Sequence, residues 1–203
     1  MVSYFNQGGA FMWPILVLLI IGVMISIERL ISLTRASVNT RKFLAKVKDA
    51  LSSGGIKEAL EVCSNTRGPV ASIFHAGLMR ADRGVEHVEK AITNAGSIEM
   101  AFLERGLIWL ATVISLAPML GFTGTVVGMI QAFDAIKAAN DISPSIVAGG
   151  ISVALLTTAF GLIVAMIIQF FHNFFVARID RLIIDMEESS TELVDALVEL
   201  EKK

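Results

Sequence analysis

Two threonines in charge-free surroundings are the residues of this sequence best placed to handle a proton or a small cation. Thr125 lies in Ala117–Phe133, which reads APMLGFTGTVVGMIQAF, and Thr158 lies in Gly150–Leu162, which reads GISVALLTTAFGL. A hydroxyl both donates and accepts hydrogen bonds, so it can hand a proton on or offer an oxygen to a cation. Gly121, Thr125, Gly128 and Ala132 recur at steps of four, three and four, which places them on one helix face. Ala154, Thr158, Gly161, Ala165, Gln169 and His172 follow the same stepping, and Thr157 adjoins them. Glycines at such steps let another helix come close, and packing alone accounts for them. Thr125 can equally be occupied by a back-bond to the carbonyl one turn earlier. Together the two faces point to a shared inner wall. Thr125 and Thr158 put hydroxyls on that wall, with Gly121, Gly128, Thr157, Gly161 and Ala165 as secondary candidates for lining or packing it.

Other chemistries find little support. Ser152 and His172 stand twenty residues apart, or about 30 Å along one helix, too far for a nucleophile and its base. His75, His87 and His172 are scattered and the single Cys63 has no partner cysteine, so neither a disulfide nor a metal site is expected. Gly121-Phe-Thr-Gly124 and Gly149-Gly150 lack the following Lys of a phosphate loop. No cofactor is called for. His172, near one end of its apolar run, reads as an interface anchor.

The elements that must carry the threonines are written in the charge pattern. Met1–Ile27, Gly106–Phe133 and Ile142–Ala177 hold no Asp, Glu, Lys or Arg, so all 36 charges of this 203-residue chain fall elsewhere. Charge-free apolar runs beyond about 20 residues are what a bilayer core demands. That excludes an ordinary soluble enzyme, a nucleic-acid binder with a basic field, and a disordered chain. Six basic residues, Arg29 to Lys48, follow the first run, and none precedes it, as a signal peptide would require. With three spans, sixteen of the seventeen Lys and Arg fall on one side, Lys137 being the exception. The positive-inside rule then puts the N-terminus outside and the C-terminus inside. The expected layout is a periplasmic N-terminus at 1–10, spans at 11–30, 106–133 and 146–176, a cytoplasmic helical segment at 31–105, a periplasmic loop at 134–145 and a cytoplasmic C-terminal helix at 177–203.

The cytoplasmic segment reads as helices broken at Ser52–Gly55 and Asn65–Pro69. Val88, Ile92, Ala95, Ile98 and Phe102 recur at helical spacing, which predicts one rod of about 45–50 residues running on through the second span. Ile179, Leu182, Met186, Leu193, Leu197 and Leu200 mark a similar stripe on a helix continuing the third span. The class is an all-α membrane protein whose long helices extend into a cytoplasmic helical domain. No carboxylate lies in any of the three runs, although an intramembrane proton relay ordinarily needs a titratable group.

The two threonine segments, together with Pro14, the Glu28-Arg29 pair and Gly54–Met79, resemble the MotA/TolQ/ExbB family of ion-channel stator subunits, most of all its ExbB/TolQ branch. The likeness extends over nearly the whole chain. It implies a homopentameric pore in a bacterial inner membrane, lined by the second and third spans. It implies as partner a dimer of single-span ExbD/TolR-like chains, whose Asp carries the proton and meets Thr125 and Thr158. It further implies a non-enzymatic motor driven by the proton motive force, serving outer-membrane transport or envelope maintenance. Two positions depart from the family pattern. Val153 stands where many relatives carry Glu, which leaves a sodium-coupled stator or a non-conducting scaffold as alternatives. Ile167 replaces a frequent proline, which predicts a straighter third helix.

Overall fold

The computed structural model describes residues 2–36, 40–139 and 144–201. They form eight α-helices: α1 (Val2–Gln7), α2 (Met12–Ala36), α3 (Thr40–Ser53), α4 (Gly55–Ser64), α5 (Pro69–Leu78), α6 (Val85–Leu103), α7 (Leu107–Ala139) and α8 (Pro144–Glu201). A single 3-10 turn, Ala81–Arg83, precedes α6, and no strand occurs among the described residues. Three of the helices are long and apolar enough to cross a membrane.

The chain divides into two compact units. The first comprises residues 1–29 and 106–174, and with them the first two apolar runs and all but the last three residues of the third. Here α7 and α8 lie antiparallel, because Gly121 faces Gly161 while Gly128 faces Gly150. The α2 helix completes the bundle, with Gly22 seated on Ile168 and Val113. Met12, Ile15, Leu110, Val113, Ala117, Ala154, Val164 and Ile168 form its interior. Trp13, Phe122, Phe133, Met166 and Phe170 are exposed on its outside, as suits helices whose outer surface meets lipid or another chain. Ser26 is buried and donates to the Gly22 carbonyl at 2.7 Å. Arg29 is buried as well, and its Nε and Nη2 both donate to the Glu28 carboxylate at 2.6 Å. A buried guanidinium without such a partner would be costly.

The second unit comprises residues 30–105 and 175–203. Its centre is α5, where Pro69, Val70, Ala71, Ile73, Phe74, Gly77 and Leu78 are all buried. Phe43 of α3 stacks at a tilt on Phe74, with ring centroids 5.5 Å apart, and Gly77 makes room for Ile92 and Val88 of α6. The stripe Ile179, Leu182, Met186, Leu193 and Leu197 of α8 is buried as its spacing requires, and Lys48 ties α3 to Glu192 at 2.6 Å. Gly55, at φ +70, turns the chain between α3 and α4 within the expected Ser52–Gly55 break.

Three details differ from the pattern read in the sequence. The rod expected from Val85 through the second span is interrupted. The Glu104 N–H closes α6 on the Met100 and Phe102 carbonyls, Gly106 adopts φ +89, and α7 starts afresh at Leu107. Hydropathy periodicity does not register such a break, because a left-handed residue is a backbone event and only glycine adopts it cheaply. The stripe above the break is also split. Val88 and Ile92 are buried, whereas Ile98 is 70% and Phe102 54% exposed. Finally, α7 runs on to Ala139, so Asp134 and Lys137 are helical. Residues 140–143 of the expected loop, and Lys202 and Lys203 of the expected tail, lie outside the described residues. The α8 helix is continuous through the third apolar run and the charged tail, and no proline interrupts it after Pro144.

Candidate ion-path site at the crossing of α7 and α8

The site is built by small residues that bring two backbones together. A Cβ added at Gly161 would lie 2.5 Å from the Ala117 carbonyl oxygen, and one at Gly121 would lie 2.9 Å from the Thr157 carbonyl oxygen. Gly128 approaches the Gly150 carbonyl at 2.9 Å on the same measure, and Gly150 approaches Ala132 Cβ at 2.6 Å. These contacts fall on backbone or on stiff methyl groups, so no larger side chain fits without moving a helix. The secondary candidates Gly121, Gly128 and Gly161 are thus packing residues at the crossing. Ala165 is buried one turn further along α8.

That proximity brings the two sequence-predicted threonines together across 33 positions of chain. Thr125 and Thr158 are hydrogen-bonded hydroxyl to hydroxyl. Thr158 also reaches the Gly121 carbonyl at 3.1 Å. Thr125 reaches the Ala154 carbonyl at 3.1 Å and the Gly121 carbonyl, its own back-bond, at 3.3 Å. Four oxygens therefore share the two hydroxyl protons. Each hydroxyl has more acceptors within reach than it can serve, so the protons can be redistributed without moving a heavy atom. Both side chains are half-buried at the edge of the helix pair, within reach of a group presented from outside.

Thr157 has a different place. It is fully buried, donates to the Val153 and Ala154 carbonyls at 3.1 and 2.9 Å, and fills the space left by Gly124. Its hydroxyl is used up inside the pair. Gly124 and Gly150 are the packing residues that spacing arguments passed over. The buried row of α7 is Leu110, Val113, Ala117, Gly121, Gly124, Gly128 and Ala132. Thr125 flanks that row instead of lying in it. Carrying the small-residue steps back from Ala132 through Gly124 to Ala117 would have located the row. Further along α8, Gln169 donates to Asn173 Oδ1 at 2.7 Å, and His172 Nδ1 is the one buried side-chain nitrogen or oxygen without a partner among the described residues. Cys63, in the second unit, is buried in apolar surroundings that push its thiol up to about 11. No group of three or more acidic, His or Cys side chains able to hold a metal occurs among the described residues.

Residues 65–188, which contain this charge-free crossing of α7 and α8, match the model of the MotA/TolQ/ExbB proton channel family. The chain belongs to that family. It is 34% identical over 180 residues to a protein of Methanothermobacter thermautotrophicus described as a biopolymer transport protein ExbB homolog, covering 88% of this chain and 64% of the relative. It is 30% identical over 169 residues to an ExbB-like biopolymer transport protein of Synechocystis, covering 81% of this chain and 66% of that relative. With the Tol-Pal system protein TolQ of Pseudomonas aeruginosa it shares 37% identity over 125 residues, which is 56% of this chain and 54% of TolQ. The chain spans just under two thirds of the first two relatives and about half of the third. Both the ExbB and the TolQ sides of the family are thereby represented, and with its three apolar helices the chain is a multi-pass membrane protein.

Proposed function

We propose that this chain is the channel subunit of an energy-transducing motor in a bacterial inner membrane. In this reading α7 and α8 of five copies line a pore, with the N-terminus outside and the charged segments in the cytoplasm. The pore holds a dimer of single-span ExbD/TolR-like partners, and ion flow drives work on outer-membrane transport or envelope maintenance. The observation that carries the reading is the shared-proton cluster of Thr125 and Thr158, placed on the open edge of a helix pair whose apolar runs hold no carboxylate. Hydroxyls do not ionise near neutral pH, so they cannot be the proton's stopping place. They can donate to a carboxylate brought by the partner and accept from it once it is protonated, which is the role a relay needs.

The test is Thr125→Val combined with Thr158→Val, which keeps side-chain volume and removes both protons. The variant should still assemble and should lose partner-dependent proton flux in reconstituted vesicles. Full flux in that variant would end the reading. The wild-type chain without any partner should conduct little.

A second reading is sodium coupling. Two hydroxyls and the Gly121 and Ala154 carbonyls are all hard oxygen donors, which suit an alkali cation as well as a proton. Replacing sodium by potassium at fixed pH separates the two, since only a sodium-coupled motor stops. A non-conducting scaffold, to which the apolar Val153 would be indifferent, predicts no flux under either regime.

A further inference from the structure

We infer that Gln169, His172 and Asn173 form a hydrated polar collar on α8, through which ions leaving the threonine pair reach the end of the span that leads into the charged tail. The inference rests on the ion-path reading above and adds the exit to it. Gln169 lies eleven residues beyond Thr158, three helical turns or about 16 Å along the axis and within about 20° around it, so both side chains leave α8 from nearly the same edge. Ala165 occupies the turn between them and is buried.

Three features set this stretch apart from the rest of the apolar run. The Gln169 amide donates to Asn173 across one turn at 2.7 Å, a polar pair on the outer surface of a helix without a formal charge from Ile142 to Ala177. That bond satisfies one donor and one acceptor, whereas two amides together offer four donors and two acceptors, so most of their capacity needs water or another chain. His172 Nδ1, beside them, is buried with no partner among the described residues, and such an atom is costly unless water reaches it. Phe170 leaves the same turn in another direction and is 70% exposed, an apolar surface beside the polar one. The turn thus carries a polar edge and an apolar one, and the polar edge shares the angular position of Thr158 on α8.

Single cysteines test this directly, in a Cys63→Ala background that removes the sole native thiol. In inverted membrane vesicles holding the full chain, Gln169→Cys and Asn173→Cys should react with a charged, membrane-impermeant methanethiosulfonate at least about tenfold faster than Phe170→Cys, because only a hydrated thiol ionises. Equal rates at positions 169 and 170 would overturn the collar. Labelling needs no ion flow, so it reports on the collar even if the threonine variant retains flux and the ion-path reading fails. Gln169→Leu together with Asn173→Leu should cut partner-dependent flux about tenfold by drying the exit, with assembly intact. Unchanged flux in that variant would remove the collar from the path, however wet it is.

Discussion

Replacing Gly161 by Ala probes the physical basis of the site, because one methyl is added where two backbones nearly touch. The new Cβ would sit 2.5 Å from the Ala117 carbonyl oxygen and 3.2 Å from Gly121 Cα, against ordinary contact from 3.4 Å upward. The deficit at the carbonyl is about 0.9 Å, and neither atom belongs to a flexible side chain, so α7 and α8 must part by about that much. Overpacking of this kind costs about 1–3 kcal/mol. Alanine returns up to about 1 kcal/mol through its better helix propensity, leaving a net loss of about 0–2 kcal/mol, or about 1–3 kcal/mol against a control that gains the same propensity. The same displacement would stretch the 3.1 Å bond from Thr158 to the Gly121 carbonyl to about 4 Å, outside hydrogen-bonding range. Gly149→Ala is the matched control, since a Cβ there meets nothing within 4 Å, and it should leave stability unchanged or raise it. Denaturation in detergent, followed by circular dichroism, reads the stability difference, and vesicle flux reads the function. If Gly161→Ala proves as stable and as active as Gly149→Ala, the close crossing does not hold the hydroxyls together and the reasoning fails.

Two further outcomes concern residues outside that crossing. Cys63, with its thiol raised from 9.0 to about 11, carries less thiolate at any pH below that value, so at pH 8 the folded chain should label about a hundredfold more slowly than a free thiol. Unfolding in urea should restore ordinary reactivity, and rapid labelling of the folded chain would contradict the burial. Gly106→Ala should cost about 1–2 kcal/mol from the left-handed backbone alone, because a Cβ there lies 3.6 Å from Arg29 and clashes with nothing. Gly96→Ala, in the body of α6 with open space around it, should show no such loss in the same denaturation assay.

Much of the fold was legible because the properties concerned are one-dimensional. A bilayer rejects charge along a run of residues, so the three apolar helices and the burial of the Ile179–Leu197 stripe could be read from composition and period. The turn at Ser52–Gly55 is likewise local chemistry. The break at Gly106 was not legible: a glycine between two apolar stretches at helical spacing carries no sign of its φ. Burial of Val88 beside exposure of Phe102 was equally hidden, since period gives a face but not how far a neighbour covers it.

The candidate site divides along the same line. Residue type and spacing determined that Thr125 and Thr158 sit on small-residue faces of charge-free helices, and that no acid of their own accompanies them. Tertiary structure alone decided that the two hydroxyls meet, because their contact depends on the register of two antiparallel helices. That register is set where Gly121, Gly128, Gly150 and Gly161 lock backbone against backbone. It also decided that Thr157, the neighbour with the same side chain, turns inward and spends its hydroxyl on α8 carbonyls. One step along a helix is a rotation of about 100°. At a crossing this tight, that rotation separates a residue packed between the helices from one left half-buried at their edge.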